Sequence, residues 1–320
     1  MRHDRNARTT AQGEGSTVTR RSLLQRSGLA LAAAALPSAP MKAGQSASRN
    51  PAPAGWPANS VMATLSIYMS EARGRALPDE MVEKAKDHIL DTVAAMISGS
   101  ELLPGREAIK FARAYGGEKV ATVAGSNVLC SPIEAALANG MLAHSDETDD
   151  SHAPSQSHPG CAIVPAALAA GEKFGINGEQ FLRAVTLGYD VGPRVTMTLG
   201  AEPYEHDSHR STHSIATDFG AAAAAGCAAD LNAQQMRWVL DYAAQQSSGL
   251  ANWAQDRDHI VKAFNFAGMG ARNGVTAALV VQSGWTGVDD IFSGPTISSW
   301  PMRPKLTRRG SSTSSASAMR

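Results

Sequence analysis

From Pro132 onward the sequence is a succession of alanine-rich stretches with short breaks, and this restricts the chain to closely packed helices more than any other feature does. Alanine loses no side-chain entropy in a helix and lets neighbouring helices approach closely. Hydrophobic residues make up 43% of the chain but aromatics only 5%, so Ala, Leu and Val must fill the core. The spacing predicts helices near 132–143, 160–173, 178–198, 214–229, 232–247 and 268–283. Asn177-Gly178-Glu179 and Leu231-Asn232 provide start signals. Upstream, Val82, Ala85, Ile89, Val93 and Met96 recur at helical spacing and predict a helix over Met81–Ser98 after Pro78-Asp79. A second runs from about Arg106 to Tyr115. Lys119 to Val123 reads as one short strand before the turn at Gly125-Ser126-Asn127. No alternating Val/Ile/Thr-rich strands recur, which disfavours Rossmann and sandwich architectures. The expected fold class is mainly α, a large helical bundle.

The two ends differ from this body. Arg20-Arg21 precede a short, moderately apolar run from Gly28 to Leu36, the order of a twin-arginine export signal. That run is well short of the roughly 20 residues needed to span a bilayer, so no stable membrane anchor is expected. The reading is a signal over residues 1–47, cleaved between Ala39 and Ala47, then a linker over 48–60. It implies the export machinery as a partner and a periplasmic destination. The helical domain is placed at 61–294. Residues 295–320 are rich in serine and basic residues and contain no acid, a composition that buries too little apolar surface to offset ordering entropy. They are expected to form a disordered tail in which truncation or a frame change replaced native sequence. Lys plus Arg equals Asp plus Glu at 29 each, and no basic block gives a footprint for nucleic acid. Cys130, Cys161 and Cys227 show no paired spacing and read as buried small hydrophobes.

Chemistry concentrates in three clusters. The densest runs from His144 through Asp146, Glu147, Asp149, Asp150 and His152 to His158, a loop between two apolar helices. Its carboxylates and imidazoles suit acid–base work near neutral pH, or binding of a divalent cation, although no HExxH, EF-hand or paired-cysteine spacing is present. A solvated loop capping a helix is the plain alternative. The second cluster, His206 to His213, leads into Gly220-Ala221-Ala222-Ala223-Ala224-Ala225-Gly226. The third, Trp253 to Phe264, contains Lys262, which can present a cation to a carboxylate or simply lie along the surface.

The run His158-Pro159-Gly160-Cys161-Ala162-Ile163-Val164-Pro165-Ala166-Ala167-Leu168 resembles the central signature of the MmgE/PrpD family. Asp149-Asp150, Gly188-Tyr189-Asp190-Val191-Gly192, Phe219-Gly220-Ala221, Lys262 and Ala271-Arg272-Asn273-Gly274 follow in the family's order, and Ile89-Leu90-Asp91-Thr92 resembles its early helix. The family includes 2-methylcitrate dehydratase, cis-aconitate decarboxylase and iminodisuccinate epimerase. The resemblance implies a cofactor-free homodimer, without a metal, acting on a small polycarboxylate as a lyase or isomerase. It also implies that the family's smaller α/β lid domain, which would follow Pro295, is missing here. Carried over residue by residue, His158 is the proton-transfer histidine and Lys262 the substrate-facing lysine. Glu147 stands where relatives commonly have an aspartate. His213 precedes the Gly-Ala run two positions closer than in the better-known members. Asp149, Asp150, His144 and His152 are expected around the substrate. Two other classes remain open: an inactive fragment or binding protein without its lid, and a periplasmic metal binder using His144, Asp146, Asp149, Asp150, His152 and His158.

Overall fold

A computed structural model describes residues 60–292. The expected signal, most of the linker and the expected tail lie outside the described residues. The chain runs through α1 (Val61–Glu71), α2 (Asp79–Gly99), α3 (Leu103–Tyr115), β1 (Ala121–Thr122), β2 (Leu129–Cys130), α4 (Pro132–Ala143), α5 (Gly160–Phe174), α6 (Gly178–Leu199), α7 (Glu202–Ser208), α8 (Thr212–Ala228) and α9 (Ala233–Gln246). It ends in α10 (Ile260–Ala263), a π-helical turn over Phe264–Gly268, and α11 (Met269–Gln282). The fold is mainly α.

Local chemistry sets most helix starts. Ser131 accepts a hydrogen bond from Glu134 N and precedes Pro132, whose missing N–H costs nothing in a first turn. Asn177 with Gln180 and Asn232 with Gln235 form reciprocal capping boxes at the starts of α6 and α9. Ser211 caps α8 through Ser214 N, so that helix begins two residues before the expected 214. The expected single strand is an antiparallel pair, Ala121 opposite Cys130 and Thr122 opposite Leu129. The Gly125–Asn127 turn folds the chain back at once, so the partner lies next in sequence. Three helical elements were not expected from the sequence, the first being α1. The seven-residue α7 is too short to show a period, and α10 with its π turn lies under what reads as a polar cluster.

Helix α8 forms the centre. Its residues from Ser214 to Ala228 are all buried, as suits a stretch made mostly of small and apolar residues. It packs between α6 and α11. The approach is close enough to require glycine: a Cβ at Gly192 would lie 2.3 Å from Ala216 O, and one at Gly274 would lie 2.4 Å from Ala222 N. One apolar cluster joins α1, α6, α8 and α9 through Met62, Leu187, Phe219 and Leu240. Another joins α3, α4, α5 and α11 through Ala108, Leu142, Ala166 and Val275. Cys130, Cys161 and Cys227 are free and buried. Among the described residues no helix is long and apolar enough to cross a membrane.

Candidate active site

The α4–α5 loop, residues 144–159, lies where α4 ends and α5 begins, and rigid helices hold both of its ends. His144, at the C-terminus of α4, is fully buried. Its Nδ1 donates to Asp149 Oδ1 at 2.8 Å. The other oxygen of the same carboxylate, Oδ2, faces His158 Nδ1 at 3.4 Å. That separation is long for a hydrogen bond but short enough for strong attraction between charges. One anion is therefore shared between two imidazoles. The backbone carbonyl of His158 accepts from the Cys161 thiol at 3.0 Å, which ties the loop to the first turn of α5.

The two imidazoles are driven in opposite directions. Burial pushes the pKa of His144 down, and although Asp149 opposes this, the charges of His158 and His259 reinforce it. Burial also works against charge on His158, but there Asp149, followed by Asp150 and Glu147, prevails and holds the pKa above the ordinary value. Burial would raise the pKa of Asp149, yet its contacts with His144 and His158 hold it well below the usual carboxylate range. A neutral histidine and a readily protonated one on either side of a fixed anion divide acid and base roles by environment.

Helix α8 contributes His213 from its first turn. The ring stacks on Phe266 with centroids 3.8 Å apart and stands 5.6 Å from the ring of His158. Burial, then the neighbouring His158, His144 and Lys262, pushes its pKa down to about 2, so it is a neutral hydrogen-bonding group at physiological pH. Phe266 stacks on His144 by its other neighbour contact, with centroids 4.6 Å apart. It belongs to the π-helical turn, a deviation that is frequent at functional sites.

Lys262 forms an ion pair with Glu147 and holds its ammonium 5.1 Å from the Trp253 ring centroid and 5.2 Å from that of Phe266. Burial would raise the pKa of Glu147, but the hydrogen bond and charge of Lys262 lower it. Glu147 and His259 both adopt positive φ, at 58° and 59°, a region uncommon for residues other than glycine. His259 Nδ1 lies 3.6 Å from Glu147 Oε1, and its Nε2 donates to His144 O at 3.1 Å.

The structure thus brings His144, Glu147, Asp149, His158, His213 and Lys262 around Phe266. It directs two other expected site residues elsewhere. Asp150 faces α2, α5 and α6, accepting from Tyr189 Oη at 2.6 Å and Gly160 N at 2.9 Å. His152 is engaged within its own turn, 2.8 Å from Ser155 Oγ. Asp146 accepts from Thr148 Oγ1. The six residues of the metal-binding alternative therefore do not converge. His144, Asp149 and Cys161 place possible ligand atoms within 4.8 Å of one another. However, the carboxylate is already bonded to the imidazole, and burial pushes the Cys161 thiol up, away from the thiolate a metal would need. Phe266, Trp253 and His259 were missed as site residues. His259 stands in the polar run Asp256–His259, a usable signal, whereas Phe266 looks like any core aromatic.

The sequence profile of the MmgE/PrpD N-terminal domain matches residues 63–297, which include every residue of this cluster. The chain belongs to the MmgE/PrpD family. Among MmgE/PrpD relatives, the cis-aconitate decarboxylase-like protein oryM of Aspergillus oryzae is 30% identical over 247 residues, covering 74% of this chain and 50% of that protein. The cis-aconitate decarboxylase of Homo sapiens is 27% identical over 219 residues, covering 66% of this chain and 44% of the human protein. That of Mus musculus is 25% identical over 224 residues, covering 68% and 44%. The chain spans about half the length of the curated relatives it matches.

Proposed function

We propose that this chain carries the proton-transfer centre of a lyase or isomerase acting, without a cofactor, on a small di- or tricarboxylate such as cis-aconitate or 2-methylcitrate. The observation that carries the reading is the sharing of Asp149 between a neutral His144 and a readily protonated His158, beside the Lys262 ammonium. His158, held as an imidazolium by Asp149, exchanges its proton with the carbon next to a substrate carboxylate. Lys262, released in part from Glu147, meets a carboxylate of the substrate, and neutral His213 offers a hydrogen bond. Fixed charges of this kind, set in place before the reaction, supply much of the stabilisation in such chemistry. Dehydration and epimerisation remove a proton from such a carbon, and decarboxylation delivers one to it as CO2 leaves. The relatives named cis-aconitate decarboxylase favour decarboxylation.

Purified protein incubated with cis-aconitate, 2-methylcitrate and related polycarboxylates in D2O, with products followed by NMR, tests this. The reading expects turnover or deuterium incorporation that falls by about 10²- to 10⁴-fold in His158→Ala, the usual share of a general acid–base residue. Activity that survives His158→Ala, or folded wild-type protein inert with every substrate, would contradict it.

A further inference from the structure

Asp149 and Asp150 are adjacent in the chain, yet their carboxylates leave the loop in different directions. Asp149 turns to the two imidazoles, whereas Asp150 is engaged entirely by scaffold. Its Oδ1 accepts from the backbone N–H of Gly160 at 2.9 Å, the first residue of α5. Its Oδ2 accepts from Tyr189 of α6 at 2.6 Å and faces His88 Nδ1 of α2 at 2.8 Å. The rings of His88 and Tyr189 lie against each other, with centroids 4.6 Å apart. Nothing else fits here: a Cβ at Gly160 would fall 2.5 Å from Tyr189 Oη, 2.7 Å from Thr92 Oγ1 and 2.8 Å from Asp150 Oδ1. The Asp150 side chain is only 13% exposed, and its donors come from three different helices.

We propose that Asp150 is the positioning residue of this site, clamped to α2, α5 and α6 so that Asp149 presents its carboxylate to His144 and His158. The proposal rests on the reading of His158 as the proton-transfer residue. An anion surrounded by donors and beside other carboxylates is a poor partner for a substrate carboxylate, so Asp150 acts through its neighbour and not by contact. The Asp149–His158 separation of 3.4 Å leaves little margin, since a small rotation of the 149–150 backbone would break it. Misplacement by about 1 Å can cost on the order of 10²-fold in rate. The charged and titratable groups facing Asp150 are His88, Asp91, Asp149, His152, His158, Cys161 and Tyr189. Those facing His158 are His144, Glu147, Asp149, Asp150 and His213.

The test uses Tyr189→Phe, which removes one of the clamp's donors but leaves the charge of Asp150 in place. Titrating His158 by NMR of ring-labelled histidine then reports movement of Asp149, not loss of Asp150's own field. The expected result is a lower midpoint for His158, with kcat reduced by roughly 10- to 10²-fold and KM kept. Asp150→Asn, checked for folding by circular dichroism, should lower both quantities further. An unchanged His158 titration in Tyr189→Phe would overturn the proposal, as would a raised KM at wild-type kcat in Asp150→Asn, which would make Asp150 a substrate contact. The titration is readable in the absence of any turnover. Failure of the lyase reading would therefore show as an inert wild type, and failure of the clamp as an unmoved His158.

Discussion

At the scale of single residues, the defining feature is one carboxylate between two imidazoles of opposite tendency. Replacing Asp149 with Asn removes the charge that holds His158 above its ordinary pKa. The His158-dependent limb of the pH–rate profile, on which activity falls as the proton is lost, should then move to lower pH, and the rate should fall by about 10²- to 10³-fold. Stability responds to pH through the same groups. His213 stays neutral in the folded protein down to about pH 2, whereas the unfolded chain takes up its proton below 6.5. Stability therefore declines as the pH falls from 6.5, with a slope from His213 alone approaching about 1.4 kcal/mol per pH unit. The raised pKa of His158 has the opposite sign: its contribution is complete below 6.5 and fades as the pH rises through the folded value. Asp149 contributes fully above its unfolded value of 3.8 and is lost as the pH drops through its lower folded one. His213→Phe should flatten the loss of stability between pH 6.5 and pH 4, as measured by urea unfolding at each pH.

At the scale of elements, the π-helical turn sets the register between Lys262 and α11. Its extra residue per turn places Phe266 between His144 and His213 while Lys262 reaches Glu147. Phe266→Leu should cost about 1–3 kcal/mol in urea unfolding, from two lost ring stacks and imperfect filling of the site. Deleting Ala267 removes the extra residue of the π turn and displaces Phe266 from its place between His144 and His213. Far-UV circular dichroism should remain helical while turnover disappears.

The same elements show how far the sequence could be read. Helix α4 begins and ends where the alanine-rich stretch 132–143 predicts, and α5 and α6 differ from expectation by one residue at their C-terminal ends. Those boundaries were legible because side chains next in sequence create them. The π turn was not, since Lys262 to Gly268 fit no 3.6-residue period. The site was legible in part for a related reason. His144, Asp149 and His158 announce themselves in one loop, and His213 and Lys262 carry recognisable neighbours. The outward turn of Asp150 depends on Tyr189 and His88, which lie 39 and 62 positions away in the chain, and no local pattern encodes that.

At the scale of the molecule, three segments far apart in sequence meet at one place: the α4–α5 loop, the start of α8 and the π turn before α11. Close packing of α8 against α6 and α11 brings them together, so the site inherits the rigidity of the core. The central claim is that this assembly recognises a small polycarboxylate through Lys262 and His158. The measurement that tests it most directly is calorimetric titration of the protein with cis-aconitate, at pH 6 and pH 8, for wild type and Lys262→Met. We predict saturable binding that is tighter at pH 6, where His158 carries its proton, and at least about tenfold weaker in Lys262→Met, the equivalent of about 1.4 kcal/mol. Binding of equal strength in the two proteins, or none in folded wild type, would contradict the account.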